Sequence, residues 1–481
     1  MFLTPFGVTA GKARRRIALL AVVAVAVALV PQPAAGATTT TPPLRLVATG
    51  AVTVERLPGE LVRLDPGIHV VAGSAPFEVR ATRASYAEPI VATRLVHIGG
   101  RQRRVTIPPG LLTDLAGFPA FFHMSVTDAA GRTVADRDET FCPGDAVRTR
   151  PDAPAASPYA NRCSYVPFAL GAVWGIQAGW GVSTARRRPS PLFLDDGVYT
   201  AAISVNQPYR DMFGFPPDQY SATVRVTVRT VETAATTAKP GSAVLSRPTA
   251  ASTVPKGPKP DLRPLPAFAI YPSYGEQGDY LSFAATVWVA GTSPLVVDGF
   301  RRPGEDVMDA YQYFYDTAGR QVGYARVGTM RWDARDGHHH WHFTDFARYR
   351  LLDADRKVAV RSGKEAFCLA NTDPIDYTLP YANRQPDNTD LHTSCGDASS
   401  IAVRQALHVG NGDTYHQDLP GQSFDITDLP NGTYYIEITA NPDNTLHEQT
   451  TANNTAYREI IIGGAPGDRT VHVPPHGLVD G

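Results

Sequence analysis

The stretch Thr223-Val224-Arg225-Val226-Thr227-Val228-Arg229 alternates valine with a polar residue at every step. Successive side chains of a strand point to opposite faces, so the three valines would share one face. This pattern predicts a strand with one buried face. Similar runs recur at 44–47, 281–289 and 434–439, and turn signals such as Asp195-Asp196-Gly197 separate them. The sequence therefore predicts an all-β protein whose N-terminal part resembles a β-sandwich.

A chain of 481 residues is longer than a domain with a single hydrophobic core usually is, so we expect several domains. Residues 231–260 are dominated by Thr, Ala, Ser, Pro and Lys, a composition typical of a flexible linker. This linker would separate a β-rich accessory domain (42–230) from a second β-rich domain (261–463), followed by a flexible tail (464–481). The accessory domain could bind a cell wall, an extracellular protein or substrate, or it could be a cleavable prodomain.

The first residues have the pattern of an export signal. A basic segment containing Arg14, Arg15 and Arg16 precedes an apolar run at 17–30, and Ala35-Gly36-Ala37 fits a cleavage site. We therefore expect a signal peptide at 1–37, a secreted or cell-surface protein, and no membrane attachment once the signal is removed. An uncleaved anchor is the alternative, and the residues do not separate Sec from Tat export. The net charge of −1 gives no reason to expect a nucleic-acid partner.

Export would place the four cysteines in an oxidising compartment, where disulfides form. Four cysteines allow three pairings. We favour Cys142 with Cys163 and Cys368 with Cys395, because each of these pairs falls within one proposed domain.

The chemistry concentrates in Asp336-Gly337-His338-His339-His340-Trp341-His342. On a strand, His338, His340 and His342 would share one face and offer three imidazoles to a borderline metal such as Cu(II) or Zn(II). Four residues of ideal strand rise about 13 Å, which puts the outer imidazoles near the limit at which they can share one ion. We therefore expect a twist or bulge here.

The histidine segment resembles the copper-binding segment of lysyl oxidases, and five other segments resemble that family in the same order. The resemblance begins near the start of the second domain and ends near its last long strand. Its segments are Pro260–Leu262, Trp332–Leu351, Lys364–Leu369, Asp413–Tyr415, Phe424–Tyr434 and Asn441–Asn454. The spacing between the third and fourth segments looks longer than in animal members of the family.

The resemblance implies site residues. His338, His340 and His342 would bind copper(II), and Tyr415 would be oxidised to a quinone to which Lys364 adds, giving lysine tyrosylquinone. Five residues would match the family's calcium site, and their oxygens suit a hard cation: Asp261, Leu262 through its carbonyl, Glu448, Asn453 and Asn454. Thr450 stands where the family has an acidic calcium ligand. Asp345 is a candidate for the base that removes the substrate α-proton, or for a partner that orients an imidazole.

The resemblance implies a secreted copper amine oxidase. It would use O₂ to deaminate peptidyl lysine or other primary amines to aldehydes, releasing ammonia and hydrogen peroxide. Two alternatives remain at this point. One is a catalytically silent copper-binding or adhesive protein, and the other is a zinc hydrolase at the same histidines, although no hydrolase signature supports the latter.

Overall fold

A computed structural model describes residues 44–98, 101–185, 189–231, 245–249, 251–275, 278–335, 338–362 and 366–477. The predicted signal peptide of residues 1–37 lies outside these ranges. The regular secondary structure of the described residues is almost entirely β-strand, which confirms the predicted all-β class. No helix within these ranges is long and apolar enough to cross a membrane.

Thirteen described strands precede residue 231, and the opening stretch of valines lies on the last of them. Val224, Val226 and Val228 are all at most 2% exposed, as the alternation predicts. The one α-helix described in this region is short and ends at Gly214, whose φ of 70° suits glycine. The elements are β1 Leu44–Ala48, β2 Ala51–Arg56, β3 Ile68–Ala72, β4 Phe77–Thr82, β5 Val91–Ile98, β6 Arg101–Thr106, β7 Phe118–Asp128, β8 Thr133–Phe141, β9 Val147–Arg148, β10 Gly171–Ile176, β11 Trp180–Ser183, β12 Gly197–Val205, α1 Gln207–Phe213 and β13 Ser221–Thr230.

The remaining strands form the second unit. Strand β16 is buried along most of its length because it has strand neighbours on both edges. The elements are β14 Leu262–Pro264, β15 Phe268–Gly275, β16 Gly278–Val289, β17 Leu295–Arg301, β18 Val307–Tyr315, β19 Gln321–Asp333, β20 His340–Thr344, β21 Ala347–Leu352, β22 Val358–Arg361, β23 Ala366–Phe367, β24 Asp373–Pro374, a 3₁₀ turn Pro386–Asn388, β25 Ala402–Leu407, β26 Asn411–Tyr415, β27 Ser423–Asp425, β28 Gly432–Ala440, β29 Thr455–Ala465 and β30 Asp468–His472.

The strands form separate sheets in the two halves. The first half has sheets ordered β1-β3-β11-β9, β10-β4-β5-β6 and β2-β13-β12-β7-β8. The second half has β14-β16-β26-β24 with β15 and β27 also on β16, then β23-β20-β19-β18-β17-β25, and β22-β21-β28-β29-β30. Each half has its own apolar core, and a smaller cluster joins them: Val166, Phe168, Leu265, Trp288 and Ile375.

Two segments at the predicted domain boundaries make contacts in the structure. Within the proposed linker, Thr253 forms a β-bridge with Tyr324, and Arg247 pairs with Asp309, so this part is attached to the second half. Within the proposed flexible tail, β30 pairs with β29, and the buried Arg469 donates to the carbonyls of Thr427 and Leu429. These hydrogen bonds attach the described parts of both segments to the second half.

Both disulfides form as predicted. Cys142 is bonded to Cys163, and Cys368 to Cys395. Each bridge lies within one half, so neither ties the halves together covalently.

Candidate metal centre and tyrosine site

Three imidazoles converge at the start of β20. Nε2 of His342 lies 2.8 Å from Nε2 of His340 and 3.3 Å from Nδ1 of His338. One ligand atom from each ring falls within 4.8 Å of the others, which makes these residues a candidate metal site. His340 and His342 belong to the strand, whereas His338 precedes it. Between them His339 has a φ of 47°, and this left-handed residue provides the expected distortion.

Asp333 at the end of β19 orients two of these rings. Its Oδ2 lies 3.3 Å from Nδ1 of His342 and 3.2 Å from Nδ1 of His338. Hydrogen bonds from the Arg335 side chain and backbone, then the nearby His338, hold the pKa of Asp333 well below its ordinary value. A carboxylate that accepts from Nδ1–H leaves Nε2 of His342 as the metal-binding nitrogen.

The other edge of β20 is held by the loop that follows the second disulfide. The backbone N–H of Trp341 donates to the Cys395 carbonyl. The backbone carbonyl of Trp341 accepts from Nε2 of Gln405 at 2.8 Å. Gln405 is fully buried and also accepts the Leu369 N–H. The side chain of Gln405 therefore ties the histidine strand to the segment that follows Cys368.

Tyr415 lies at the end of β26, with its hydroxyl held by the backbone of Cys368. That oxygen accepts the Cys368 N–H at 2.9 Å and donates to the Cys368 carbonyl at 3.1 Å. Its ring packs edge-on against Phe367, with ring centres 4.9 Å apart. Burial, and then the nearby Asp413, raise the pKa of Tyr415 well above its ordinary value. The phenol therefore stays neutral near pH 7.

Tyr415 and the histidines are linked through a short run of paired residues. Phe367 on β23 pairs with Phe343, the residue after His342 on β20. Lys364 lies outside the described residues, so the structure does not test its predicted role. In the sequence it precedes Ala366, the first residue of β23, by two positions.

The five residues assigned to calcium lie together. Nδ2 of Asn453 is 3.1 Å from Oδ1 of Asp261, and Nδ2 of Asn454 is 2.7 Å from Oε1 of Glu448. Leu262 joins them through its N–H, which donates to Oε2 of Glu448, whereas we expected its carbonyl to take part.

The donor atoms of this cluster fit a hard cation. The side-chain oxygens of Asn453 and Asn454 are buried and have no hydrogen-bond partner among the described residues. Burial raises the pKa of Glu448 to about 7 despite three hydrogen bonds to its carboxylate. Arg263 forms an ion pair with Asp261. A cation would satisfy the two amide oxygens and favour the charged form of Glu448.

Asp345 is exposed, has a φ of 61°, and follows β20 in a turn. No described contact joins its carboxylate to the imidazoles, and Asp333 has that position instead. Sequence reasoning missed Asp333 and Gln405, because the pairing of β19 with β20 and the fold of the loop after Cys395 bring them to the site. The only sequence signal was an acidic residue five positions before His338.

Comparison with known proteins identifies part of the second half. Residues 316–467 match the family model described as Lysyl oxidase. Protein-lysine 6-oxidase of Sus scrofa is 32% identical over 135 residues, which cover 28% of this chain and 48% of that protein. The same enzyme of Homo sapiens is 31% identical over 135 residues, 28% of either chain.

Lysyl oxidase homolog 1 of Homo sapiens is 33% identical over 135 residues, 28% of this chain and 21% of that protein. The chain therefore spans about half or less of the length of these relatives. The matched range includes the three histidines and Tyr415, and it begins after Asp261 and Leu262. Residues 316–467 of this chain are therefore similar to a lysyl oxidase domain.

Proposed function

We propose that this protein is a copper-dependent amine oxidase that deaminates peptidyl lysine or other primary amines. The observation that carries the proposal is the trio of imidazole nitrogens within 4.8 Å of one another, inside the segment that matches lysyl oxidase. Three nitrogen donors leave coordination positions open for water, O₂ or substrate, as a catalytic copper site requires.

The donor set suits copper in a further respect. The carboxylate of Asp333 fixes the tautomer of His342 that presents Nε2 toward the other two rings. When bound, copper would supply, with O₂, the oxidation of Tyr415 to a quinone that Lys364 then joins and that accepts two electrons from the amine.

The chain itself positions the reacting ring and controls its protonation. The Cys368 backbone holds the Tyr415 hydroxyl through two hydrogen bonds, and Phe367 covers one edge of the ring. Lys364 is four residues before Cys368 in the sequence, so the proposal places this lysine near the residue that holds the Tyr415 hydroxyl. Overall, RCH₂NH₂, O₂ and H₂O are converted into RCHO, NH₃ and H₂O₂, with two electrons passing from the amine carbon to O₂.

The test is purification with Cu(II), a visible spectrum, and labelling with phenylhydrazine. We expect a copper-dependent quinone absorbance and a cross-linked peptide pair that contains Lys364 and Tyr415. Peroxide should form in equal amount to aldehyde. Tyr415→Phe should abolish the absorbance while copper still binds.

His339 provides a matched control for the metal ligands, because its side chain is exposed and lies beside them in the chain. His340→Ala should abolish copper binding and turnover, and His339→Ala should retain both. Bound copper without quinone absorbance or peroxide in the unmodified protein would instead support a silent copper-binding protein. Turnover without O₂ and with zinc would support a hydrolase.

We further propose calcium at the cluster of Asp261, Glu448, Asn453 and Asn454. The two unpartnered amide oxygens and the buried carboxylate of Glu448 support it. Saturation at 100 times the dissociation constant would stabilise the fold by about 2.7 kcal/mol. Added Ca²⁺ should therefore raise the melting temperature of the unmodified protein and leave that of Glu448→Gln nearly unchanged.

Secretion follows from the export pattern at 1–37 as part of the same proposal, with the protein acting on extracellular amines. Expression with its native N-terminus in a bacterial host should yield a mature chain outside the cytoplasm that begins near residue 38. Retention of the whole chain in the cell would contradict this assignment.

A further inference from the structure

The long spacing between Lys364 and Tyr415 contains a segment that faces the N-terminal half. Its strand β24 and the residues after it, 373–387, pass along the end of β10 and the chain at 157–170. Leu170 N–H donates to the Ile375 carbonyl at 2.7 Å, and Tyr377 N–H donates to the Gly171 carbonyl at 3.0 Å. Gly171 and Asp376 form a parallel β-bridge. We call residues 371–388 the docking segment.

Polar side chains reinforce this backbone contact. Arg162 forms an ion pair with Asp387 and also donates to the Asn371 carbonyl. Gln385 donates from Nε2 to the carbonyls of Ser157 at 2.8 Å and Tyr159 at 2.9 Å. These bonds satisfy carbonyls on both sides, so separating the halves would leave them to be rehydrated.

Apolar packing crosses the same boundary. Tyr377 is 1% exposed and belongs to the core of the N-terminal half, although it lies in the second half of the sequence. Ile375 and Trp288 pack with Val166 and Phe168 in the cluster that both halves share. An accessory domain on a flexible tether would not need to bury these side chains.

The docking segment is bonded on its other side to the strand that carries Tyr415. Asp373 pairs with Gly412 on β26, and the Thr372 hydroxyl accepts the Thr414 N–H at 2.7 Å. The Tyr377 hydroxyl donates to Oδ1 of Asn411 at 2.9 Å. The side chain of Tyr377 thus joins the N-terminal core directly to the first residue of β26.

We propose that the N-terminal half is a permanent intramolecular partner of the docking segment, and that it braces β26 and therefore Tyr415. This excludes a removable prodomain: a cut in the linker would leave the halves associated. The bracing of the strand is independent of catalysis, and only its consequence for the reactivity of Tyr415 rests on the proposed function.

The first experiment inserts a site-specific protease sequence within 232–244 of the full chain. Because each disulfide lies within one half, the cut halves would be held together by noncovalent contacts alone. We expect the cut protein to elute from a sizing column as one species at about 1 µM, with both halves in equal amount. Elution as two separate species would overturn the proposal.

Gly171 allows the interface to be opened at one point. A Cβ at this residue would lie 2.5 Å from Oδ1 of Asp376 and 2.8 Å from Cγ2 of Thr378. Gly171→Val should therefore introduce a steric clash between the two halves. Gly50 is the matched control, because a Cβ there meets nothing within 4 Å. After the linker is cut, Gly171→Val should release the N-terminal half, and Gly50→Val should not. Arg162→Ala is a milder second variant, in case Gly171→Val does not fold.

Hydrogen exchange tests the bracing of β26 separately. In uncut Gly171→Val, amides of 411–415 should exchange at least about tenfold faster than in Gly50→Val, since local opening sets their rate. Unchanged exchange in a variant whose cut halves separate would overturn the bracing. Neither measurement uses copper or turnover, so a failure of the oxidase proposal would leave both results interpretable.

Discussion

Removal of the Asp333 carboxylate should weaken metal binding without unfolding the site. We treat Asp333 as an orienting group because its Oδ2 faces Nδ1 of His342, the nitrogen opposite the one that meets His340. The same Oδ2 also lies 3.2 Å from Nδ1 of His338, the nitrogen that meets His342, so the experiment must distinguish orientation from direct binding. Loss of a carboxylate that orients a metal-binding imidazole typically costs 10–100-fold in affinity, or about 1.4–2.7 kcal/mol. We expect Asp333→Ala to fall within this range.

The assay is competition for Cu(II) against a chromophoric chelator, with the metal-free protein checked for an unchanged melting profile. Asp333→Asn should lose less affinity, because its amide oxygen still accepts from Nδ1–H. Asp316→Ala is the control: Asp316 likewise pairs with a nearby arginine, Arg320, and accepts a turn N–H, but it has no imidazole contact.

Two results would refute this reasoning. Affinity within about threefold of the unmodified protein would show that Asp333 does not orient the rings. A loss above about 1,000-fold would exceed an orienting effect and indicate that the carboxylate binds the metal directly.

Three further outcomes are expected. Gln405→Ala should lower the free energy of unfolding by about 2–4 kcal/mol in urea titrations, because the Trp341 carbonyl and the Leu369 N–H both lose a buried partner. Without calcium, burial raises the pKa of Glu448 from 4.5 to about 7. The contribution of this group to the free energy of unfolding is therefore complete below pH 4.5 and is lost as pH rises through 7. Glu448→Gln should remove this slope between pH 4.5 and 7.5. Burial lowers the pKa of His408 from 6.5 to about 4, so its contribution is present above pH 6.5 and is lost as pH falls toward 4. His408→Gln should shift the acid unfolding midpoint to lower pH.

Local rules account for the features that the sequence predicted. Alternation fixes which face of β13 is buried, and the valines of 224–228 follow it closely. The histidine trio is separated by single residues, so strand alternation predicts that its rings share one side, and the left-handed residue His339 adds the distortion between His338 and the strand. The disulfide pairs were favoured from their positions within proposed domains, and their spacing allows each bridge to close within one half.

Non-local pairing accounts for what the sequence did not predict. Asp333 and Asp345 are both acidic residues near the histidines, and nothing in their immediate neighbours distinguishes them. The register of β19 on β20 pairs Asp333 with His340, whereas the left-handed turn at Asp345 leaves that residue exposed. Which carboxylate meets the imidazoles is therefore decided by a strand register that spacing alone does not determine.

The contact between the two halves is a second feature that non-local pairing decides. A linker rich in Thr, Ala and Pro indicates that the linker residues form no hydrophobic core of their own. Its composition gives no information on whether the two halves that it connects are in contact. Contact is decided by side chains far from the linker: Tyr377 enters the N-terminal core because its backbone pairs with Gly171, and its hydroxyl reaches Asn411. The long spacing before Tyr415 was thus the sequence signal of an interface. Residues within that spacing bind the N-terminal half on one side and β26 on the other.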